Sequence, residues 1–508
     1  MSVKIHSAQV VGLYGKIIDV EIDVMQGLHH FSVVGLPDKA VEESTDRLSA
    51  AIKNLGFISP QKKNQRITVS LAPADLKKEG PVFDLSIALA YLLISKQIKF
   101  SPKNKLFLGE LGLDGALRQI KGVLSLARAA KENGFEEIYL PKENAEEAAL
   151  IRGLKVYGSN NLKDIVLHLQ GEKMLNAQKE TEARIDRKYL ENMADFSDVK
   201  GQETAKRGLE IAAAGGHNVL MVGPPGTGKT MLAKALASIL PALSFEEILE
   251  TTAIHSVSGT LEGSYLNARP IRTPHHTASY VALVGGGAWP KPGEISLSHR
   301  GVLFLDEFPL FEKRLIEALR QPLEDGVITI SRVRGSLKFP ARFILVCAMN
   351  PCPCGNLDSK TKQCICSQGD ILRYRRKISG PIADRIDLWL EVSQVDTEKL
   401  RENDLRAEPS FKIRERVSGA RKIQEERFKN HEILTNSEMG VRELKKFSPL
   451  SESAQQVLTS AAKRLDLSAR AYHRIIKLAR TIADLDKKEN IEENHIFEAI
   501  QYRPKASY

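Results

Sequence analysis

The first residues able to do chemistry lie where an apolar tetrapeptide, Val219-Leu220-Met221-Val222, runs into Gly223-Pro224-Pro225-Gly226-Thr227-Gly228-Lys229-Thr230. Glycines let backbone N–H groups curl around phosphate oxygens, and a helix starting at the end of the loop turns its positive end toward the same anion. Lys229 can reach the β- and γ-phosphates, and the Thr230 hydroxyl can ligate Mg²⁺. Met231 to Leu240 reads as that helix, closed by Pro241. Strand, glycine loop and helix together are the setting a Walker A motif needs, so the spacing predicts ATP and Mg²⁺ as cofactors.

A second apolar run, Val302-Leu303-Phe304-Leu305, ends on Asp306 and Glu307. It reads as a buried parallel strand with two acids at its C-terminal edge, where open α/β sheets bind ligands. Asp306 would hold Mg²⁺ through water, and Glu307 would polarise the attacking water. Taken alone, such a pair is only a strand end; following a Walker A it reads as a Walker B. A third run, Phe343 to Met349, ends at Asn350, a polar residue that resembles the AAA+ sensor positioning the lytic water between the two motifs. The plainer alternative is an Asn satisfying a turn before Pro351.

Further on, Cys352-Pro353-Cys354 and Cys364-Ile365-Cys366 form two C-x-C pairs nine residues apart. Four thiolates from two tight turns can surround Zn²⁺ tetrahedrally, although C-x-C is less diagnostic than C-x₂-C. Redox-active thiols and four free cysteines are the alternatives. Cys347, inside an apolar run, reads as core. The adjacent His275 and His276 offer poor geometry to a single ion and have no carboxylate or thiol close in sequence, which favours substrate or subunit contact. Ile328-Thr329-Ile330 and Leu337-Lys338-Phe339 flank a glycine turn as a hairpin. From Ser331 to Arg342 the bases Arg332, Arg334, Lys338 and Arg342 meet no acid. Paired with phosphates, Arg332, Arg334 and Lys338 would bind DNA in a sequence-independent, salt-sensitive way; a solvated basic hairpin is the alternative.

The elements that must position these residues belong to a chain of 508 residues, 42% hydrophobic and 27% charged, with net charge +10. That length exceeds one core. A basic balance favours polyanionic partners but is dilute here. The N-terminus lacks an apolar signal core, and the longest apolar run, near Ser86 to Ile94, is about half of a membrane span, so no membrane contact and a cytoplasmic location are expected. Residues 1–170 alternate strand and helix signals as one α+β domain, with Ile18 to Val24 a half-buried strand, Phe83 to Ile94 a buried helix and Leu106 to Leu117 a hairpin. Residues 171–195 read as a polar linker, 196–392 as a parallel α/β core and 393–508 as charged helices, including Ser451 to Leu485.

Particular stretches carry a resemblance. Asp198-Val199-Lys200-Gly201-Gln202 resembles the AAA+ segment flanking the adenine. Arg272-Thr273-Pro274-His275-His276-Thr277 and Pro290 to Gly301 (PKPGEISLSHRG) are similar to the magnesium-chelatase-like ATPases of the YifB/ComM type. The likeness runs from Met1 to Tyr508. It implies a multidomain α/β chain: a Lon-protease-like α+β N-terminal domain, an AAA+ P-loop domain with a helix-2 insert and a pre-sensor hairpin, and a helical C-terminal lid. Asn350 would be the sensor. Within Ala383-Asp384-Arg385-Ile386-Asp387, Arg385 would be the arginine finger reaching a neighbour's γ-phosphate, which implies a homo-oligomeric ring, a hexamer. Within Leu467 to Arg474, Arg470 is the first choice for the second sensor and Arg474 the second. Val82 and Leu126 fall where Lon-type proteases carry serine and lysine, with Ser86 and Lys121 off register, so the N-terminal domain is expected to be non-catalytic. The resemblance implies helicase or branch-migration activity in homologous recombination and natural transformation. A magnesium-chelatase-type motor subunit remodelling a protein partner and an ATP-dependent Lon-like protease are the rival readings.

Overall fold

The computed structural model describes residues 2–183, 194–287, 290–332, 335–357, 362–394 and 408–504, and for Arg332 and Gly335 the backbone only. The chain divides into two compact units, Met1–Arg184 with Phe245–Asn267, and Ile185–Ser244 with Ala268–Tyr508.

The first unit is built on a seven-stranded mixed sheet: β1 (Val3–Val11), β2 (Tyr14–Gln26), β3 (His30–Val34), β4 (Gln65–Ala72), β5 (Lys105–Phe107), β6 (Glu137–Pro141) and β7 (Lys155–Ser159). Their order is β3-β4-β2-β1-β5-β6-β7. Alternation in β2 turns Ile18, Val20 and Ile22 into the core, and β1 pairs with it antiparallel, Ile5 opposite Val20. The helix Asp84–Ile94 is apolar on all sides and buried, as such a helix must be. The expected hairpin from Leu106 to Leu117 is smaller than its sequence suggests. Leu106 and Phe107 are fully buried, and their strand joins β1 in parallel; only Glu110–Leu111 and Leu117–Arg118 pair as a ribbon.

Two segments join this unit against expectation. Residues 171–183, read as linker, run along it: the Gln178 N–H donates to the Val156 carbonyl (2.8 Å) and the Thr181 N–H to the Ala149 carbonyl (3.0 Å). Phe245–Asn267, expected within a continuous 196–392 core, also belongs here. Its helix Phe245–Ser258 packs beside the helix Val123–Glu132. Buried Glu147 accepts the Leu124 N–H (2.9 Å) and bonds Ser256, whose Oγ accepts the Gly122 N–H (2.9 Å). A buried carboxyl with partners on both segments fixes the join.

The second unit holds a five-stranded sheet of β8 (Val219–Val222), β9 (Ile271–Arg272), β10 (Val302–Leu305), β13 (Ile344–Met349) and β14 (Leu388–Glu391), ordered β9-β10-β13-β8-β14. All pairings are parallel. Every residue of β8, β10 and β13 is buried, which explains their unbroken apolar sequences. Between β10 and β13 the strands β11 (Val327–Arg332) and β12 (Gly335–Pro340) form the expected hairpin. Between β9 and β10 a ribbon, Gly285–Gly286 with Lys291–Pro292, separates the short helices Tyr280–Val284 and Glu294–Leu297. Helices fill the C-terminal region, Ser410–Arg427, Val441–Phe447, Glu452–Arg464, Ala469–Leu485 and Glu493–Gln501. The expected single helix from Ser451 to Leu485 is two, broken where Asp466 turns left-handed (φ 47°) and Ser468 caps the next helix. No helix among the described residues is long and apolar enough to cross a membrane.

Candidate nucleotide site

Parallel β8, β10 and β13 bring the C-terminal ends of three strands to one edge, and the chemistry collects there. Gly226 (φ 78°) and Gly228 (φ 89°) take left-handed backbone, which lets the loop after β8 turn before the helix Lys229–Ile239 begins. The Lys229 ammonium folds back into the loop, donating to the carbonyls of Gly223 (2.7 Å) and Pro224 (2.8 Å) and to Asn350 Oδ1 (3.2 Å). Burial pushes the Lys229 ammonium down from the ordinary lysine value, while Asp306 and Glu307 act the other way. Thr227 Oγ1 donates to the Pro224 carbonyl at 2.9 Å, tightening the same turn.

From the end of β10, Asp306 Oδ2 accepts the Thr230 hydroxyl at 2.9 Å, and its Oδ1 accepts the Glu307 N–H at 2.8 Å. The two oxygens expected around Mg²⁺ thus meet across 76 residues of sequence. The residues present fit that ion: a hydroxyl and a carboxylate supply hard oxygen donors, beside a loop whose lysine suits the phosphates that would share it. Glu307 takes left-handed backbone (φ 51°), a conformation costly for a side chain of this type. Its carboxylate lies 3.5 Å from His276 Nδ1. Sequence reasoning missed this contact. No local sequence signal marks it: it follows from the register of β9 on β10, with Arg272 beside Leu303, which carries the residues after each strand to the same edge. His276 stacks on His275 (centroids 4.2 Å apart), and His275 Nδ1 bonds Thr277 Oγ1 (2.8 Å). Arg272 grips Glu294 through two bonds of 2.6 and 2.7 Å, tying the two family-like stretches together.

The arginines form a separate group. Arg385 binds the Pro381 carbonyl (2.6 Å) and the Glu324 carboxylate, and none of these bonds goes to the Gly223–Thr230 loop. Arg470 reaches Asp384 Oδ2 (3.3 Å) and Arg474 the Asp384 carbonyl (3.0 Å), so both expected second-sensor residues hold the residue preceding Arg385. Arg474 is the less exposed of the two.

Cys352, Cys354, Cys364 and Cys366 converge, their Sγ atoms all within 4.8 Å of one another, whereas Cys347 is buried in β13. On the hairpin, Ile328, Ile330 and Phe339 are buried and Lys338 is exposed. Arg342 lies beyond the hairpin and donates to the Glu432 carbonyl (3.4 Å). Arg334 and the Arg332 side chain lie outside the described residues. In the first unit Val82 and Leu126 both pack into one hydrophobic cluster, and the Ser86 hydroxyl is spent on the Phe83 carbonyl (2.7 Å). Val82 and Leu126 themselves carry neither a hydroxyl nor an amine.

A parallel core carrying this phosphate loop, this acidic strand end and a helical C-terminal region is that of a magnesium-chelatase-like AAA+ ATPase. The family described as "Magnesium chelatase, subunit ChlI" matches residues 195–400, "Subunit ChlI of Mg-chelatase" residues 20–144, and the ChlI C-terminal family residues 407–503. The chain is 44% identical over 501 residues to the YifB protein of Escherichia coli K12, covering 98% of this chain and 96% of that protein. It is 43% identical over 505 residues to competence protein ComM of Haemophilus influenzae, covering 98% and 97%. The magnesium-chelatase 38 kDa subunit of Cereibacter sphaeroides is 29% identical over 182 residues, 31% of this chain and 52% of that subunit. The chain belongs to the YifB/ComM family. Membership implies ATP hydrolysis with Mg²⁺.

Proposed function

We propose that the chain is the protomer of a ring-shaped ATP motor that acts on DNA, driving branch migration or unwinding in recombination, as in natural transformation. The observation that carries the motor is the closed set at the sheet edge: Lys229 bonded to Asn350, and Thr230 bonded to Asp306 with Glu307 next to it. These are the groups needed to hold ATP·Mg²⁺ and to activate water. Thr230 and Asp306 would hold Mg²⁺, which would supply charge neutralisation for the phosphates. Lys229 binds phosphate in this reading, Asn350 orients water, and Glu307 takes its proton. Arg385, bonded away from its own loop, suits a cation offered to a neighbour's nucleotide; that role calls for a ring, and the family resemblance implies a hexamer. DNA is favoured by the hairpin, whose apolar face is packed while Lys338 is exposed, and by the full-length similarity to a protein named for competence.

The reading is tested on a labelled four-way junction. The intact chain with ATP and Mg²⁺ should convert it to duplex products, and Glu307→Gln should bind the junction without converting it. Conversion equal in the two proteins would defeat the assignment. The chelatase-motor reading is favoured by the family match over residues 195–400 and predicts stimulation by a porphyrin or a protein partner instead.

A further inference from the structure

We propose that Cys352, Cys354, Cys364 and Cys366 hold one Zn²⁺ that sets the shape of the phosphate loop, so that nucleotide affinity depends on zinc occupancy. The inference rests on the ATP-binding reading of Gly223–Thr230. The donor set fits the ion in kind and in size. Sulfurs about 2.3 Å from a tetrahedral zinc lie about 3.8 Å from one another. Here Cys352 Sγ is 3.4 Å from Cys354 Sγ and 3.7 Å from Cys364 Sγ, and Cys354 Sγ is 3.7 Å from Cys364 Sγ. A disulfide would need about 2.0 Å. Backbone N–H groups of Asn356 and Ile365 also point at Cys354, as donors stabilising a thiolate do.

The position of the cluster matters as much as its composition. It follows Asn350, the residue bonded to the Lys229 ammonium, by two positions. Gly355, next to Cys354, has φ +80° and lies so close to the phosphate loop that a Cβ there would sit 2.8 Å from Pro225 Cδ and 3.2 Å from Pro225 Cγ. Beyond Cys366, Ser367 caps the helix Gln368–Arg375, whose Arg375 donates back to the Pro351 carbonyl (3.3 Å). The loop is therefore closed back on Pro351, next to Asn350 just beyond β13, and its turn lies against Pro225. It has little apolar material to hold that shape: Ile365 is 88% exposed, and no strand or helix lies between Asn350 and Ser367 among the described residues. A metal can supply the missing folding energy.

The test uses the full chain purified under reducing conditions. Elemental analysis should give one zinc per chain, and Co²⁺ substitution should give the visible spectrum of a tetrahedral tetrathiolate. Dissociation constants for a fluorescent ATP analogue are then compared. Stripping zinc, or the double substitution Cys354→Ser with Cys364→Ser, should weaken binding between about 10- and 100-fold, and zinc added back to the stripped protein should restore it. Gly355→Ala should keep its zinc and still bind nucleotide about 10-fold more weakly through Pro225. Absence of stoichiometric zinc overturns the site. Zinc-bound and zinc-free proteins of equal nucleotide affinity overturn the brace. A zinc-replete protein with the cobalt spectrum that binds no nucleotide refutes the ATP reading instead, and with it the brace, while the metal site stands.

Discussion

At the scale of single residues, Lys229 is bonded to Asn350 and Thr230 to Asp306, so each substitution should have its own signature. Glu307→Gln keeps shape and removes the base. Hydrolysis should fall by about 10²- to 10⁴-fold while ATP binding persists, measured by turnover and by equilibrium titration. Lys229→Ala should lose binding as well. His276 touches Glu307 rather than any other member of the set, so His276→Ala should change turnover by roughly tenfold and leave nucleotide affinity unchanged. An equal loss in both would mean that His276 only supports the fold. The main site residues were legible because strand, loop and acid each have a local signature in sequence. The His276–Glu307 contact was not, because β9 is two residues long and its register on β10 is a tertiary fact. The C-x-C spacing announced the cysteine cluster, but nothing in it announced Pro225.

At the scale of elements, the parallel sheet was legible as unbroken apolar runs, and the hairpin as alternation around a glycine. The membership of Phe245–Asn267 was not, since it depends on Glu147 and Ser256 meeting across more than a hundred residues. Two joins in the second unit carry predictions. Asp484 is buried and accepts from Arg427 (2.5 and 2.8 Å), Arg480 (3.1 Å) and Asn436 (2.8 Å), pinning three helical segments. Asp484→Ala leaves buried guanidinium unpaired and should cost about 3–5 kcal/mol, read as a lowered melting transition. Asp387, at the head of β14, accepts from His217 (3.3 Å) and the Asn218 N–H (3.2 Å). Burial, the largest single influence, would raise its carboxyl, but His217 together with the Lys477 and Arg474 charges holds it below the ordinary value of 3.8. A carboxyl depressed in the folded state contributes stability above the ordinary value, and loses it as pH falls through the depressed one. Asp387→Asn should therefore cost about 1–3 kcal/mol at neutral pH, and the gap to wild type should close in acid, checked by denaturant unfolding at several pH values. On the hairpin, replacing Arg332, Arg334 and Lys338 by alanine should weaken DNA binding and flatten its salt dependence, checked by titrations at several salt concentrations.

At the scale of the whole molecule, the proposed ring makes the nucleotide site a shared property. Arg385→Ala and Lys229→Ala should each be inactive alone. Mixed in equal amounts, they should regain roughly a quarter of wild-type turnover, because some interfaces then pair an intact loop with an intact finger. No recovery would argue that Arg385 acts within its own chain. The fullest test of the account is steady-state ATP hydrolysis by the intact protein with Mg²⁺, with and without single-stranded, duplex and four-way-junction DNA, at low and moderate salt. Hydrolysis should be stimulated by DNA, abolished in Lys229→Ala and damped as salt rises. Hydrolysis indifferent to every DNA at both salts would contradict the DNA motor and leave only the ATPase, and no hydrolysis under any condition would contradict the motor itself.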